Sequence, residues 1–303
     1  MLLAVTAIAL LGWAVAQQWT AVRASTARIG LLPLLHCLFW ACAGLLLSAL
    51  AWRAGLAALG SRLPMVAALR VFFLSQAGKY LPGSVWPFLA QMELGREHGV
   101  PPNRSGTAGV LFLVLHLATG LVVALLALPF SGELLESGYA WFLLALVPLL
   151  IALHPRVLGA VLNRLFRLLR RPPLPPLGWA AVLVPSTWLA GMWLAYGISI
   201  AALIAPLERL TPTTWALAIG GYALAWSAGF LVLVVPAGVG VREAVLVLAL
   251  LPLMATGPAT SVAALARLAH TGGDLLWALA VSPRRRATRP AAVSTAPGRG
   301  TGR

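Results

Sequence analysis

An all-α, polytopic membrane protein of about seven transmembrane helices plus re-entrant or broken helices is what this chain predicts, and three features carry that reading. Hydrophobic residues fill 60% of the 303 positions and charged residues only 10%, with a mean hydropathy of +0.91. A soluble domain of this length has too little interior to hide so much apolar surface. The apolar residues fall into runs long enough to cross a bilayer, and two further runs are short and interrupted by glycine and proline. The formal charge of +15 comes from 22 cations against 7 acids, and most of the cations lie between the apolar runs. They read as topology determinants and contacts to anionic lipid. Nucleic acid is not an expected partner, because no soluble domain is left over to carry a basic face.

Residues 1–19 are apolar and read as a first span. Ala14-Val15-Ala16 resembles a signal-peptidase site and makes a cleaved signal the alternative, although no basic stretch precedes it. Residues 31–52 are a second span. Residues 63–78 and 84–94 are each too short or too interrupted for an ordinary span, and read as a re-entrant hairpin or a pair of half-helices. Between them, Gly78, Pro82 and Gly83 forbid a continuous helix over 76–87. Lys79, the only lysine in the chain, sits inside this break. A charge at a broken helix points to backbone facing a polar cavity, a solvated turn being the plainer alternative.

Residues 106–128 form the next span, followed by a loop at 131–138 that carries Glu133 and Glu136, and by a short span at 139–153. In 154–171, Arg164, Arg167 and Arg171 follow helical spacing with leucines between them, as in an interfacial amphipathic helix. The Pro-rich linker 172–177 divides a first membrane half, 1–171, from a second, 178–282. In the second half, 178–206 and 213–235 are spans, a break follows at 236–243, and a short apolar helix runs over 244–254. Residues 259–281 are the last span, and 283–303 read as a disordered basic tail. Cation-rich loops over 53–104, 156–171 and 284–289 place those segments and the C-terminus in the cytoplasm; Arg23 and Arg28 are a local exception.

Two short, interrupted segments, one in each half, are the pattern that marks a midplane binding site in transporters. Lys79 at the first break and Arg242 at the second favour an anionic ligand such as a phosphate head group. Glu243 is either the partner of Arg242 or the acid that opens the next helix. Arg267, His270 and Asp274 follow i, i+3, i+7 spacing and form one polar stripe on the final span, as a wall of a lipid path or as a structural Arg–Asp pairing. His36 and His116 read as satisfied core residues, and Gly220-Gly221 as a site of close helix packing. Cys37 and Cys42 fall on different helix faces, so neither a disulfide nor a metal site is expected, and no cofactor fingerprint is present. Catalysis finds little support: the nearby acids are Glu93 and Glu97, flanking Arg96, and the chain is not expected to be an enzyme.

Lys79-Tyr80-Leu81-Pro82-Gly83-Ser84-Val85-Trp86, followed by Gly95-Arg96, resembles the KY(I/L)PGxxW…GR signature of the lysylphosphatidylglycerol synthase transmembrane-region family. Val235-Pro236-Ala237-Gly238-Val239-Gly240-Val241-Arg242-Glu243 resembles its second signature, PxGxGxRE, and Arg267 and Asp274 match the polar positions that follow. The resemblance runs from about Trp13 to Val281. It implies similarity to the membrane half of multiple peptide resistance factors, which flips aminoacylated phospholipids, and to members that accompany glycosyltransferases acting on polyprenyl-linked sugars. Two departures qualify it. Ser84 stands where the family often has a lysine or arginine, and no soluble aminoacyl-transfer domain follows Val281, so synthase activity is not expected.

Residues and resemblance together give Lys79, Tyr80, Arg96, Arg242, Glu243, Arg267 and Asp274 as the head-group-binding set. The expected function is translocation of an anionic phospholipid or polyprenyl-phosphate-linked lipid across the cytoplasmic membrane. The alternatives are a membrane subunit presenting lipid to a separate glycosyl- or acyltransferase, and a secondary transporter of a small solute.

Overall fold

The computed structural model describes residues 19–80, 86–127, 129, 143–168, 173, 176–232 and 238–282. Among them every regular element is helical. Helix α1 (Trp19–Ile29) and helix α2 (Leu31–Ala58) are separated by Gly30, whose φ of 68° is the left-handed turn a glycine allows. Apolar residues run all round α2, so Cys37, Trp52 and Leu56 fill the core while Leu31, Leu32 and Phe39 face outward. From within its last turns Arg53 Nε donates to the Leu63 carbonyl at 3.0 Å, and from later in the chain Arg104 Nη1 donates to the Gly60 carbonyl at 3.0 Å. Two arginines of a cation-rich stretch therefore also tie down the turn that ends α2.

Helices α3 (Met65–Gln76) and α4 (Trp86–Arg96) pack against each other as the two arms of the expected hairpin. Helix α5 (Pro102–Ala127) follows and covers α4. Helix α6 (Leu146–Ala152) leads into α7 (Pro155–Leu168). The helical stretches Leu143–Ala152 and Pro155–Leu168 bend by 71° relative to each other. Helix α7 is the expected amphipathic helix: Leu158, Leu162 and Phe166 are buried at i, i+4, i+8, and Arg156, Arg164 and Arg167 are exposed.

Helix α8 (Trp179–Ile204) packs along α2 more extensively than any other pair. Gly44 makes this possible, since a Cβ there would collide with the ring of Tyr196. Helix α9 (Pro212–Ala216), a π-helical turn (Leu217–Gly221) and α10 (Tyr222–Leu231) run on as one 20-residue helix. The glycine pair packs closely, as expected. A Cβ on Gly220 would run into Ala127 of α5, and one on Gly221 would lie 2.9 Å from the Ala249 Cβ. That alanine belongs to α11 (Val241–Leu250), which is followed by α12 (Thr256–Val281).

Four of these helices are long and apolar enough to cross a membrane: Leu31–Ala58, Pro102–Ala127, Trp179–Ile204 and Pro212–Leu231. The bent pair would make a fifth. The chain is thus an all-α, multi-pass membrane protein, but the expected count of seven is not reached among the described residues. Two reasons are specific. The expected first span lies over 1–18, outside the described residues. Helix α12 has the length of a span, 26 residues, yet gives up apolarity because one of its faces carries the polar stripe inward. The Pro-rich linker, the acidic loop at 131–138 and the basic tail lie wholly or largely outside the described residues.

Candidate functional site

The first break is built by a glycine. Helix α3 ends at Gln76, and Ala77–Tyr80 tighten into a 3₁₀ turn. A Cβ on Gly78 would lie 2.9 Å from both the Pro87 nitrogen and the Trp86 carbonyl carbon. The turn therefore passes directly against the first turn of α4, and only glycine fits there. Residues 81–85 of the first motif, and the side chain of Tyr80, lie outside what the structure describes. Lys79 leaves this turn toward α12, where its Nζ meets Asp274 Oδ2 at 2.7 Å; the two side chains are 30% and 12% exposed.

The second break uses two glycines. Gly238 and Gly240 have φ of 64° and 89°, conformations that residues with a Cβ seldom adopt. A Cβ on Gly238 would also sit 2.8 Å from the Gly229 carbonyl oxygen, so the returning chain lies against α10. Helix α11 then begins with Val241-Arg242-Glu243. The Glu243 carboxylate accepts a hydrogen bond from the Gly240 backbone N–H, the half of a capping box that a glycine cap permits. Its other oxygen lies 3.5 Å from Arg267 Nη1, close enough for an ion pair and too long for a good hydrogen bond. Of the two sequence readings of Glu243, the acid that opens the next helix holds, and the partner of Arg242 does not, since its ion-pair partner is Arg267.

Arg242 is held differently. Its guanidinium carbon lies 4.6 Å above the centroid of the Tyr222 ring, a cation–π arrangement. No carboxylate among the described residues reaches ion-pair distance of it. The ring itself is fixed: the Tyr222 hydroxyl and His270 Nδ1 are 2.8 Å apart, and His270 Nε2 and Ser199 Oγ are 3.1 Å apart. Because Ser199 Oγ already donates to the Tyr196 carbonyl at 2.6 Å, its oxygen accepts from Nε2–H. That leaves Nδ1 of the neutral ring to accept from the tyrosine hydroxyl.

These groups surround one cavity of about 200 Å³ lined from α2, α3, α4, α5, α8, α10, α11 and α12. Lys79, Arg242, Arg267 and Asp274 line it, so three cations face one carboxylate. Its uncharged wall is aromatic, with Phe72, Phe112, His116 and Trp226. Helix α12 carries Arg267, His270, Thr271 and Asp274 to this space and is fixed behind it. Trp277 Nε1 donates to the Cys42 carbonyl at 3.0 Å, and the Trp277 ring stacks on Phe73 at 4.6 Å.

Of the seven expected site residues, the structure brings Lys79, Arg242, Arg267 and Asp274 to the cavity wall and Glu243 directly behind it. Arg96 is elsewhere. It pairs with Glu93 at 2.8 Å near the end of α4, both side chains more than 60% exposed, as the i, i+3 spacing of that helix dictates. Arg267 and Asp274 do not pair with each other, since each reaches a partner on one of the two breaks. His116 is not a satisfied core residue. It is buried against Trp226, with ring centroids 3.9 Å apart, and neither of its nitrogens has a hydrogen-bond partner. His36 is satisfied but is not a core residue either: it accepts from Trp40 Nε1 at 2.9 Å on the exposed side of α2, one turn away in the same helix. Cys37 and Cys42 are free thiols. Among the described residues no cluster of His, Cys, Asp and Glu is arranged to hold a metal ion. Tyr222, Ser199 and Gln91, the last of these on the cavity wall from α4, were missed. Only Tyr222, a lone polar aromatic directly after Gly220-Gly221 in an apolar run, left a signal that could have been followed.

Residues 1–278 match the model of a family described as the lysylphosphatidylglycerol synthase TM region. A search of curated proteins found no match.

Proposed function

The chain belongs to that family, and from this premise we propose that it is a translocase for a lipid with an anionic head group. In this reading it acts in the cytoplasmic membrane, with its C-terminus inside. The observation that carries the reading is Arg242, half-buried at the cavity wall and without a carboxylate partner among the described residues. A cation in such surroundings is costly unless something negative joins it. An entering phosphate oxygen can take two parallel hydrogen bonds from a guanidinium, and the acyl chains stay in the hydrocarbon outside.

Transport is favoured over bond-making chemistry because both carboxylates near the cavity are committed to cations, Asp274 to Lys79 and Glu243 to Arg267. Neither is held as a free base. A membrane protein of a family named for a phospholipid synthase, with a cationic cavity at two helix breaks, supports a lipid over a free solute.

The test is translocation of a labelled anionic phospholipid in proteoliposomes. Arg242→Ala is expected to slow it by at least about tenfold, the scale of a lost hydrogen bond to a charged group. Arg242→Lys should keep part of the rate. Wild-type rates for a folded Arg242→Ala protein would rule the reading out.

A further inference from the structure

Charge around the cavity is arranged in two closed pairs and one open position. Lys79–Asp274 at 2.7 Å and Arg267–Glu243 at 3.5 Å compensate two of the three cations. Arg242 is the third, and its described neighbour is the face of Tyr222. Counting Glu243 behind the wall, the fixed charges of the described residues therefore leave one positive charge over. We infer that the cavity is charge-matched to a head group bearing a single negative charge, a phosphodiester, and discriminates against one bearing two. The inference rests on the anionic head-group reading above and narrows its substrate class.

The physical argument is one of compensation in a poorly solvated space. A phosphodiester brings one charge and neutralises Arg242 with both existing pairs intact. A phosphomonoester carries close to two charges at neutral pH, as its second ionisation lies near pH 6. Its second charge finds a counter-ion only if Lys79 leaves Asp274 or Arg267 leaves Glu243. Either exchange takes its ion-pair cation from a carboxylate that is largely buried, with side-chain exposures of 12% for Asp274 and 9% for Glu243. Stranding a buried charge is strongly unfavourable. A diphosphate-linked lipid meets the same obstacle, whereas a sugar joined through a monophosphate does not.

Three short-chain lipids that differ in head-group charge test this on the full-length protein in neutral detergent, by calorimetric titration at mildly alkaline pH. They are phosphatidylcholine (net neutral), phosphatidylglycerol (singly negative) and phosphatidic acid (doubly negative). Phosphatidylglycerol is expected to bind about tenfold or more tightly than either of the others. Asp274→Asn uncovers Lys79 and should reverse the order, so that phosphatidic acid becomes the tighter ligand. Glu243→Gln keeps an acceptor for the Gly240 N–H, uncovers Arg267 and should do the same, which covers the case in which the first variant fails to fold. Phosphatidic acid binding wild type as tightly as phosphatidylglycerol, or folded variants with an unchanged order, would overturn the charge match while leaving the anionic-lipid reading standing. If neither anionic lipid binds, that reading itself falls. A final arm uses glycerophosphoglycerol, the same singly charged head group without acyl chains. Binding as tight as that of the lipid would mark a solute site and overturn the lipid assignment.

Discussion

The two helix breaks carry the same kind of charge and solve it in opposite ways. At the first, a flexible lysine leaves a 3₁₀ turn and is met by Asp274, so the break is electrostatically closed. At the second, an arginine at the start of α11 rests on an aromatic face, so the break is held in place without being neutralised. The difference separates holding a structure together from keeping a site receptive. A compensated cation can lock two elements, whereas an uncompensated one keeps its attraction for a ligand.

The largest expected effect tests that opposition directly. Lys79→Met should destabilise the folded protein by about 2 kcal/mol, because it takes the ion-pair cation from a largely buried Asp274; the value is set below the usual cost for fully buried pairs, since Lys79 is 30% exposed. The double variant Lys79→Met/Asp274→Leu should recover most of the loss. Arg242→Met should leave stability within about 1 kcal/mol of wild type, or raise it, because no acid is stranded. Unfolding in detergent measures all three. A severe loss for Arg242→Met would show that the second break is closed as well and erase the contrast.

A smaller effect compares the glycines. Gly240→Ala, at a φ of 89°, should cost about 2 kcal/mol through backbone strain alone. Gly78→Ala has no such strain, and should cost about 1–2 kcal/mol because its Cβ meets the backbone of α4. The position of Lys79 would shift with it, so transport should fall in Gly78→Ala even at a temperature where the protein is fully folded. Normal transport in that variant would mean the close approach matters only for packing.

The smallest effect sharpens the role of the aromatic platform. Tyr222→Phe removes the hydrogen bond to His270, at about 1 kcal/mol, and keeps the ring under Arg242. Tyr222→Leu removes the ring too, at about a further 0.5–1 kcal/mol. Lipid titration of the two folded variants should show nearly normal affinity for Phe and weakened affinity for Leu. Equal affinities would deny the ring any part in placing the guanidinium.

The sequence made the breaks legible because glycine, proline and a lone lysine in an apolar chain are local signals, each with its own steric or electrostatic cause. The stripe on α12 was legible for the same reason, being a spacing within one helix. What pairs with what was not. Asp274 reaches Lys79 across 195 positions and Glu243 reaches Arg267 across 24, and nothing local encodes either meeting. Glu243 next to Arg242 in the chain invited the wrong pairing, although neighbours in a helix point about 100° apart. His116 misled for a related reason. A lone histidine in a span is usually satisfied, and whether it is depends on Trp226 of another helix. The amphipathic α7 was read correctly from its arginines; Pro155, its first residue, marks the break before it, but a proline does not specify the 71° angle.

A tilt of α12 about Gly273 would move two arms of unequal length. A Cβ on Gly273 would lie 3.3 Å from the Cys42 sulfur, so the helix rests there against α2, one residue from Asp274 and six from Arg267. With a rise of about 1.5 Å per residue, a tilt of about 10° about this fulcrum moves Asp274 by about 0.3 Å and Arg267 by about 1.5 Å. The short arm would keep its grip on Lys79, and a tilt away from α11 would draw Arg267 from Glu243, across a gap that is already the wider of the two. Ser261, farther along the same arm, donates to the Val22 carbonyl and would take α1 with it. Paired spin labels on α1 and α8 would register that swing as a distance change. Labels placed near Trp277 and Phe73, close to the fulcrum, should stay still.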